Sequence, residues 1–228
     1  NDVTAIVDEI IKKRRSVRGF LPTPVAKETI LDILRVAARA PSGSNIQPWK
    51  VYVVQGEKKQ QITDRVLEIF NDPEKNALYQ PEYVYYPKKW VDPYISRRRK
   101  VGYDLYALAG IARGEHAKMH QYHGKNYQFF GAPVALMFTI PRMMEQGSWL
   151  DYGMFVQNVL IAATARGLAT CPQAAFISYH QVIAEILEIP NDEQYVMAVS
   201  IGYENTEEIT NQLVTERASL EDFVKFYD

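Results

Sequence analysis

The chain has 228 residues, about one and a half times a usual domain length, so one large domain or two small ones are allowed. Lys and Arg number 26 against 27 Asp and Glu, and a net charge of −1 excludes a global field favouring nucleic acid or anionic lipid. At 47% hydrophobic and 23% charged the composition is globular, which excludes disorder over most of the length.

Residues 3–13 place Val3, Ile6, Val7, Ile10 and Ile11 at helical spacing behind Asp2 or Thr4 as cap, and the helix runs into the basic cluster Lys12, Lys13, Arg14, Arg15. Pro22 and Pro24 break the chain; residues 27–39 repeat a helical apolar pattern that Pro41 stops. Residues 41–48 read as a loop, 49–55 as a strand and 57–70 as a helix. Between 71 and 130 the character changes, with Pro73, Pro81, Pro87 and Pro93 and seven Tyr between Tyr79 and Tyr106. This stretch reads as an excursion from the core, helical from about 94 to 111, with the run Arg97, Arg98, Arg99, Lys100 as a solvated or phosphate-facing stripe. The core resumes with a buried strand at 132–140, a nearly all-round apolar helix at 149–166 ending at Gly167, a strand at 168–171, a helix at 179–187, a strand at 194–202 and an extended tail. No repeat or Gly/Ser linker marks a second domain, so the order predicts one α+β domain with central helices.

Aromatic residues make 12% of the chain, led by 15 Tyr, and serve equally as core, interface or a stacking surface. One cysteine, Cys171, leaves no intramolecular disulfide and fits a reducing compartment. The longest apolar run is too short for a bilayer and contains Pro133, and the first residues lack the form of a signal peptide. A soluble, cytoplasmic protein without membrane or nucleic-acid partners is the expectation.

Several chemistries lack their motifs: there is no glycine fingerprint for a dinucleotide, no phosphate loop and no nucleophile elbow. His116, His120 and His123 share a helical face, but no zincin pattern or cysteine partner accompanies them, so no metal is expected. Cys171, with His180 as its one nearby base, reads as a small buried apolar residue rather than a nucleophile. What remains is Arg14, Arg15, Ser16 and Arg18 at a helix end, either a solvated terminus that complements the helix dipole or a grip for an anionic planar ligand.

Arg14-Arg-Ser-Val-Arg-Gly-Phe20, then Ala40-Pro-Ser-Gly-Ser-Asn-Ile-Gln-Pro-Trp49 opening a strand, Gly167-Leu-Ala-Thr-Cys-Pro-Gln173, Ile201-Gly-Tyr and Arg217-Ala-Ser-Leu220 together resemble the FMN-dependent nitroreductase family. Residues 71–130 and 146–153 are most similar to a branch that includes nitrobenzoate reductases. The resemblance implies a three-layer αβα domain over residues 1–228, with a central mixed or antiparallel sheet, 71–130 as an inserted lid, and an intertwined homodimer holding FMN at its interface. By position, Arg14, Arg15, Ser16 and Arg18 would grip ribityl, phosphate and pyrimidine edge, and Arg217 the phosphate. Pro41, Ser42, Gly43 and Asn45 would come from the opposite subunit, and Pro172, Gln173, Ala174 and Ala175 would lie beside the ring. Two departures stand out. Ala174 and Ala175 replace an acidic residue and glycine, so the main chain must make the N5 contact; Thr215 replaces a lysine, whose charge Arg97 to Arg99 would supply.

The implied activity is ping-pong NAD(P)H-dependent reduction of a small aromatic acceptor, nitroaromatics such as nitrobenzoates or quinones, by hydride transfer through flavin N5, with no catalytic side chain. Arg18 would stabilise charge on reduced flavin. Tyr83, Tyr86, Trp90, Tyr94 and Phe129 are the candidate acceptor-lining rings, and a lid cation among 97–100, Arg98 by choice, would pair with a substrate carboxylate. Reductive dehalogenation of a halotyrosine-like phenol and non-catalytic flavin binding are the alternatives.

Overall fold

The computed structural model of the protein describes residues 2–228. Eight α-helices and four β-strands occupy them, in the order α1 (Val3–Lys13), α2 (Lys27–Ala37), β1 (Lys50–Gln55), α3 (Gly56–Phe70), α4 (Pro73–Asn76), α5 (Tyr94–Leu108), α6 (His116–Gly124), β2 (Val134–Pro141), α7 (Gln146–Ala165), β3 (Ala169–Gln173), α8 (His180–Leu187) and β4 (Glu193–Gly202). The strands form one sheet in the order β1-β2-β4-β3, and every pair is antiparallel. Its one parallel element is an isolated bridge between Ser16 and Thr170, which attaches the segment after α1 to the free edge of β3.

Strand β2 shows why two helical layers form. Val134, Leu136, Phe138 and Ile140 point to one side and Ala135 and Met137 to the other, the period of two that a strand dictates, and all are buried. On the first side they meet Ile30 and Ile33 of α2 and Tyr152, Phe155 and Val159 of α7. On the second they meet Ile62 and Val66 of α3 and Val182 and Ile183 of α8. Helix α7 buries one face, including Tyr152, Phe155, Val159 and Ala163, and leaves Leu150 and Met154 exposed on the other, while β4 between β2 and β3 is buried along most of its length.

Asp2 caps α1 as predicted, accepting from the Thr4 N–H, yet α1 has no buried residue: Val3, Ile6, Val7 and Ile11 are exposed at 72, 42, 46 and 49%. Residues 71–130 divide in two. Helix α5 has no buried residue, whereas Tyr122, Tyr127, Phe129 and Phe130 belong to the buried interior. Phe129 and Phe130 hold φ of 54° and 53°, a left-handed conformation that L-residues rarely adopt and that tertiary packing must enforce. Phe129 stacks on Phe176 at 4.9 Å and has no exposed surface, so this ring is part of the core and not of a lid.

A buried acid stitches the sheet. The Glu193 side chain, 4% exposed, accepts from Lys50 at 3.1 Å, from the Tyr52 hydroxyl at 2.8 Å and from Thr139. Burial alone would raise this carboxyl, but the three hydrogen bonds together with the Lys50 charge outweigh it and hold the carboxyl below its ordinary value. The same contact, added to desolvation, pushes the Tyr52 phenol up to about 12.

Candidate functional site

A cavity of about 1070 Å³ opens where α1 ends and runs past the edge of β3. Its walls bring together sequence blocks from opposite ends of the chain: Arg14, Arg15, Ser16 and Arg18, then Gly167 to Thr170, then Thr215 and Arg217 of the tail. Three contacts hold this arrangement. The Val17 N–H donates to the Thr170 carbonyl at 2.9 Å, Arg15 pairs with Glu204, and the buried Asn211 clasps the segment from the tail side. Asn211 Oδ1 accepts from the Arg18 N–H at 2.7 Å, and its Nδ2 donates to the Gly19 carbonyl at 2.9 Å and to the Asn205 carbonyl at 3.0 Å. Gly19 leaves the space that the neighbouring Glu208 side chain fills, since a Cβ there would sit 2.4 Å from Glu208 Cγ, and it lets Asn211 Nδ2 approach closely, at 3.3 Å from that position.

The electrostatics of this cavity are those of an anion site. Among the described residues neither Arg14 nor Arg217 has an acidic partner. Burial, followed by the charge of Arg217, lowers the Arg14 guanidinium from its ordinary value. Arg217 is steadied only by its own strand of tail, its Nη1 donating to Thr215 Oγ1 at 2.8 Å and to the carbonyls of Thr215 and Glu216. Two guanidiniums that repel each other in a polar recess are stabilised by a phosphate placed between them. Thr170 adds a second signal: it lines the cavity, is 1% exposed, and its hydroxyl has no partner. Phosphate, polyol and a ring edge together fit this donor set, and FMN has all three.

Within one chain the run at 97–99 does not line this cavity. Lys12 and Lys13 line the cavity, while α5 contributes the apolar Val101. Lys100 is engaged by Asp104 at 2.7 Å and Glu216 at 3.7 Å.

Other predicted positions stand apart from the cavity within one chain. Pro41, Ser42, Gly43 and Asn45 form a separate loop against α7, where the Gly43 N–H donates to Asp151 at 2.9 Å and the Gln47 N–H to Ser42 Oγ at 3.0 Å. Ser44, Asn45 and Gln47 there hold φ of 52°, 56° and 50°, strain of the kind that persists at binding loops. Pro172, Ala174 and Ala175 are half-buried at the end of β3, but Gln173 is interior: it donates to the Asn126 carbonyl at 2.9 Å and accepts from Ser200 at 2.6 Å.

A second cavity, of about 390 Å³, lies between residues 80–86 and Ile177, two positions beyond Ala175. Tyr83 and Tyr86 line it; Tyr83 also packs on Trp149 at 4.7 Å, and its hydroxyl donates to the Val196 carbonyl, with burial raising its phenol. Trp90 stands 5.6 Å from Tyr86, and Tyr94 is exposed under Arg97.

His120 stacks on Phe70 at 4.0 Å and bonds Asn71, His123 lies within 3.3 Å of the Tyr127 hydroxyl, and no group of three potential ligands occurs among the described residues. His180 bonds the Gln80 carbonyl and faces Glu82, leaving Cys171 without a base; burial raises that thiol to about 11. Among the described residues no helix is long and apolar enough to cross a membrane. Sequence reasoning missed Asn211, Thr170 and Glu193, which meet Arg18, Val17 and Thr139 across 54 to 193 positions, separations for which no local pattern exists.

The nitroreductase family model matches residues 11–203. A chloronitrobenzene nitroreductase of Comamonas testosteroni is 37% identical over 96% of both chains, and a 4-nitrobenzoate reductase of Nocardioides sp. (strain LMS-CY) is 37% identical over 96% of this chain and 89% of its own. The crystal structure of the FMN and NADPH-dependent nitroreductase NfnB from sphigopyxis sp. strain HMH superposes with a TM-score of 0.93 at 36% identity, covering 97% of this chain and 99% of that one. The helical layers, the antiparallel sheet and a match over most of the length agree: this chain belongs to the nitroreductase family.

Proposed function

We propose that the protein is an FMN-dependent NAD(P)H oxidoreductase that reduces nitroaromatic compounds. The observation that carries this reading is the unpaired Arg14 and Arg217 pair beside the orphaned Thr170 hydroxyl in a cavity of flavin size. Relatives named for FMN, NADPH and nitroarenes support it, and those named for a neutral and for an acidic nitroarene are equally similar.

In this reading Arg14 and Arg217 hold the phosphate, Arg15, Ser16 and the Thr170 segment border the ribityl chain, and Arg18 sits at the pyrimidine edge. Pro172 to Ala175 offer main-chain groups to the ring. When bound, FMN supplies two-electron transfer from a nicotinamide to the acceptor. The chain's own part is to orient the ring, place the Arg18 charge where reduction makes the ring anionic, and shield it from water. No side chain needs to act as nucleophile, in line with a protonated, buried Cys171.

The site is completed by a second copy of the chain. The apolar faces of α1 and α2, with Leu31 and Val36 at 43 and 50% exposure, and a tail ending in Phe223, Phe226 and Tyr227 at 67, 92 and 88% are surfaces that a monomer would leave wet. An intertwined homodimer covers them and brings the strained 41–47 loop to the partner's flavin. Within the single domain 1–228, residues 71–130 supply the cap, except that Tyr122, Tyr127, Phe129 and Phe130 toward its end belong to the core.

Anaerobic addition of NADH or NADPH to the yellow protein should bleach the flavin band, and 4-nitrobenzoate or nitrobenzene should restore it. A protein that takes up no flavin refutes the reading. Bleaching that no nitroarene reverses leaves the cofactor and removes the substrate class.

A further inference from the structure

The choice between a neutral and an anionic acceptor falls to one side chain. In α5, the Arg98 guanidinium lies over the Trp90 ring at 4.8 Å and over the Tyr86 ring at 5.7 Å, while Tyr86 and Trp90 are themselves 5.6 Å apart. Contact of a guanidinium with ring faces does not use its N–H donors in hydrogen bonds. Among the described residues no hydrogen bond or ion pair uses those donors. The neighbouring cations differ: Arg97 lies over Tyr94 alone at 5.8 Å, and Lys100 is paired with Asp104.

Arg98 does not itself line the 390 Å³ cavity, but the Tyr86 ring, 5.7 Å from its guanidinium, does, together with Ile177, two residues beyond the segment assigned to the flavin ring. Val101, three residues along the same face of α5, lines the flavin cavity. The volume suits a single substituted ring. The one acid at this cavity, Glu82, is engaged by Arg142 at 2.9 Å and by His180 at 3.6 Å, so it does not compete for Arg98.

We propose that the second cavity receives the aromatic acceptor and that Arg98, resting against Trp90 and Tyr86 beside it, binds an anionic substituent on it, making the enzyme selective for nitroarenes that carry a carboxylate. This rests on the nitroaromatic reading above. Two bidentate donors on a rigid support bind a planar carboxylate better than an ammonium on a flexible stem.

The test compares wild type with Arg98→Met, which keeps an apolar stem on the rings, and Arg98→Lys, which keeps charge without the fork. Steady-state kcat/KM is measured for 4-nitrobenzoate and for its uncharged methyl ester, alongside calorimetric titration of the flavin-loaded protein with benzoate, which cannot be reduced. Arg98→Met should lower kcat/KM for the acid by about ten- to a hundredfold, mostly through KM, and far less for the ester, from the strength of a charge-assisted pair. Benzoate affinity should fall in parallel, and Arg98→Lys should recover part of both. Equal losses for acid and ester with normal flavin content would make Arg98 a packing residue and overturn the proposal; so would no loss. If neither nitroarene is reduced, the functional reading fails while the titration still decides this one: benzoate binding that depends on Arg98 supports an acid site, and wild type that binds no benzoate removes it.

Discussion

Replacing Arg14 by Gln separates two meanings of a charge at a helix end. Arg14 is the residue at which α1 stops, its N–H donating to the Ile10 carbonyl at 3.1 Å, so a cation there would ordinarily complement the helix dipole. In that case Arg14→Gln costs a few tenths of a kcal/mol in the flavin-free protein, about 0.3–1, and leaves flavin affinity alone. The structure argues the reverse. Burial first, then the charge of Arg217, lowers this guanidinium, and a base whose folded value lies below its unfolded one destabilises the folded state wherever it is charged. That cost is present at every pH below the folded value and is relieved only toward the unfolded value, so neutral Gln should leave the flavin-free melting temperature unchanged or higher. Affinity should move the other way. A guanidinium–phosphate contact is worth about 1.5–3 kcal/mol, which corresponds to roughly a ten- to hundredfold rise in the dissociation constant for FMN. Flavin fluorescence quenching during titration of the stripped protein gives the constant, and a thermal melt of the same sample gives stability. The salt dependence of binding should also become shallower in the variant, since one ionic contact is gone. A flavin-free protein that melts lower with FMN affinity unchanged would refute the assignment of this cavity to an anionic cofactor.

Other expectations concern residues away from the phosphate. Glu193→Gln removes the charge that Lys50, Tyr52 and Thr139 share and should cost about 2–3 kcal/mol, a drop of roughly 5–10 °C in melting temperature for a chain of this size. In the native protein this depressed carboxyl contributes stability above its unfolded value near 4, lost as pH falls through the folded value, so a melt against pH should decline in acid and the Gln variant should be flatter there. Tyr52 acts at the other end: raised to about 12, it contributes below about 10 and loses that contribution as pH climbs through 12. Asn211→Ala should weaken FMN binding several-fold, as the main chain at Arg18 and Gly19 loses its clasp; unchanged affinity would show that the segment is held by the β3 edge alone. Cys171→Ala should keep turnover within about twofold, and iodoacetamide should leave the native enzyme active, because a thiol at about 11 is protonated at neutral pH; inactivation at a stoichiometry of one would reopen a nucleophilic role.

Element positions were legible because they depend on local signals. The spacing of Val3, Ile6, Val7 and Ile10 with Asp2 as cap places α1 at its observed bounds, and the β-branched run after Trp49 places β1 within a residue. Which face of a helix meets its own core is not a local property. Helix α1 reads as an ordinary amphipathic helix, yet its apolar stripe finds nothing within the chain to pack on. Phe129 was misplaced for a similar reason: a ring in a Tyr-rich stretch looks like lid, whereas a left-handed turn at 129–130 folds it under Phe176. Antiparallel pairing of β3 with β4 across α8 has no local signal, because a helix between two strands more commonly makes a parallel crossover; only the family resemblance implied a mixed or antiparallel sheet. Of the site, the arginines and the tail were readable as blocks; the clasp by Asn211 and the orphaned Thr170 hydroxyl required the chain to be folded.

The near-zero net charge conceals a division of labour that only partners reveal. Arg15 is spoken for by Glu204, so its charge ties the segment after β4 to the segment after α1 and is not available to a ligand phosphate. Lys100 is likewise taken by Asp104 and Glu216. Among the described residues Arg14, Arg217 and Arg98 have no acidic partner, the first two lining the large cavity and the third resting on Tyr86, which lines the small one. Thr215 explains how one tail cation can serve where two would be expected. Its hydroxyl and carbonyl both accept from Arg217 Nη1, which fixes the plane of the guanidinium while leaving Nη2 and Nε to donate. A lysine at 215 would add charge but also a flexible stem, and would remove the hydroxyl that orients Arg217. An oriented fork loses less conformational freedom on binding phosphate than an untethered ammonium does, so the substitution trades charge for preorganisation rather than simply losing a contact.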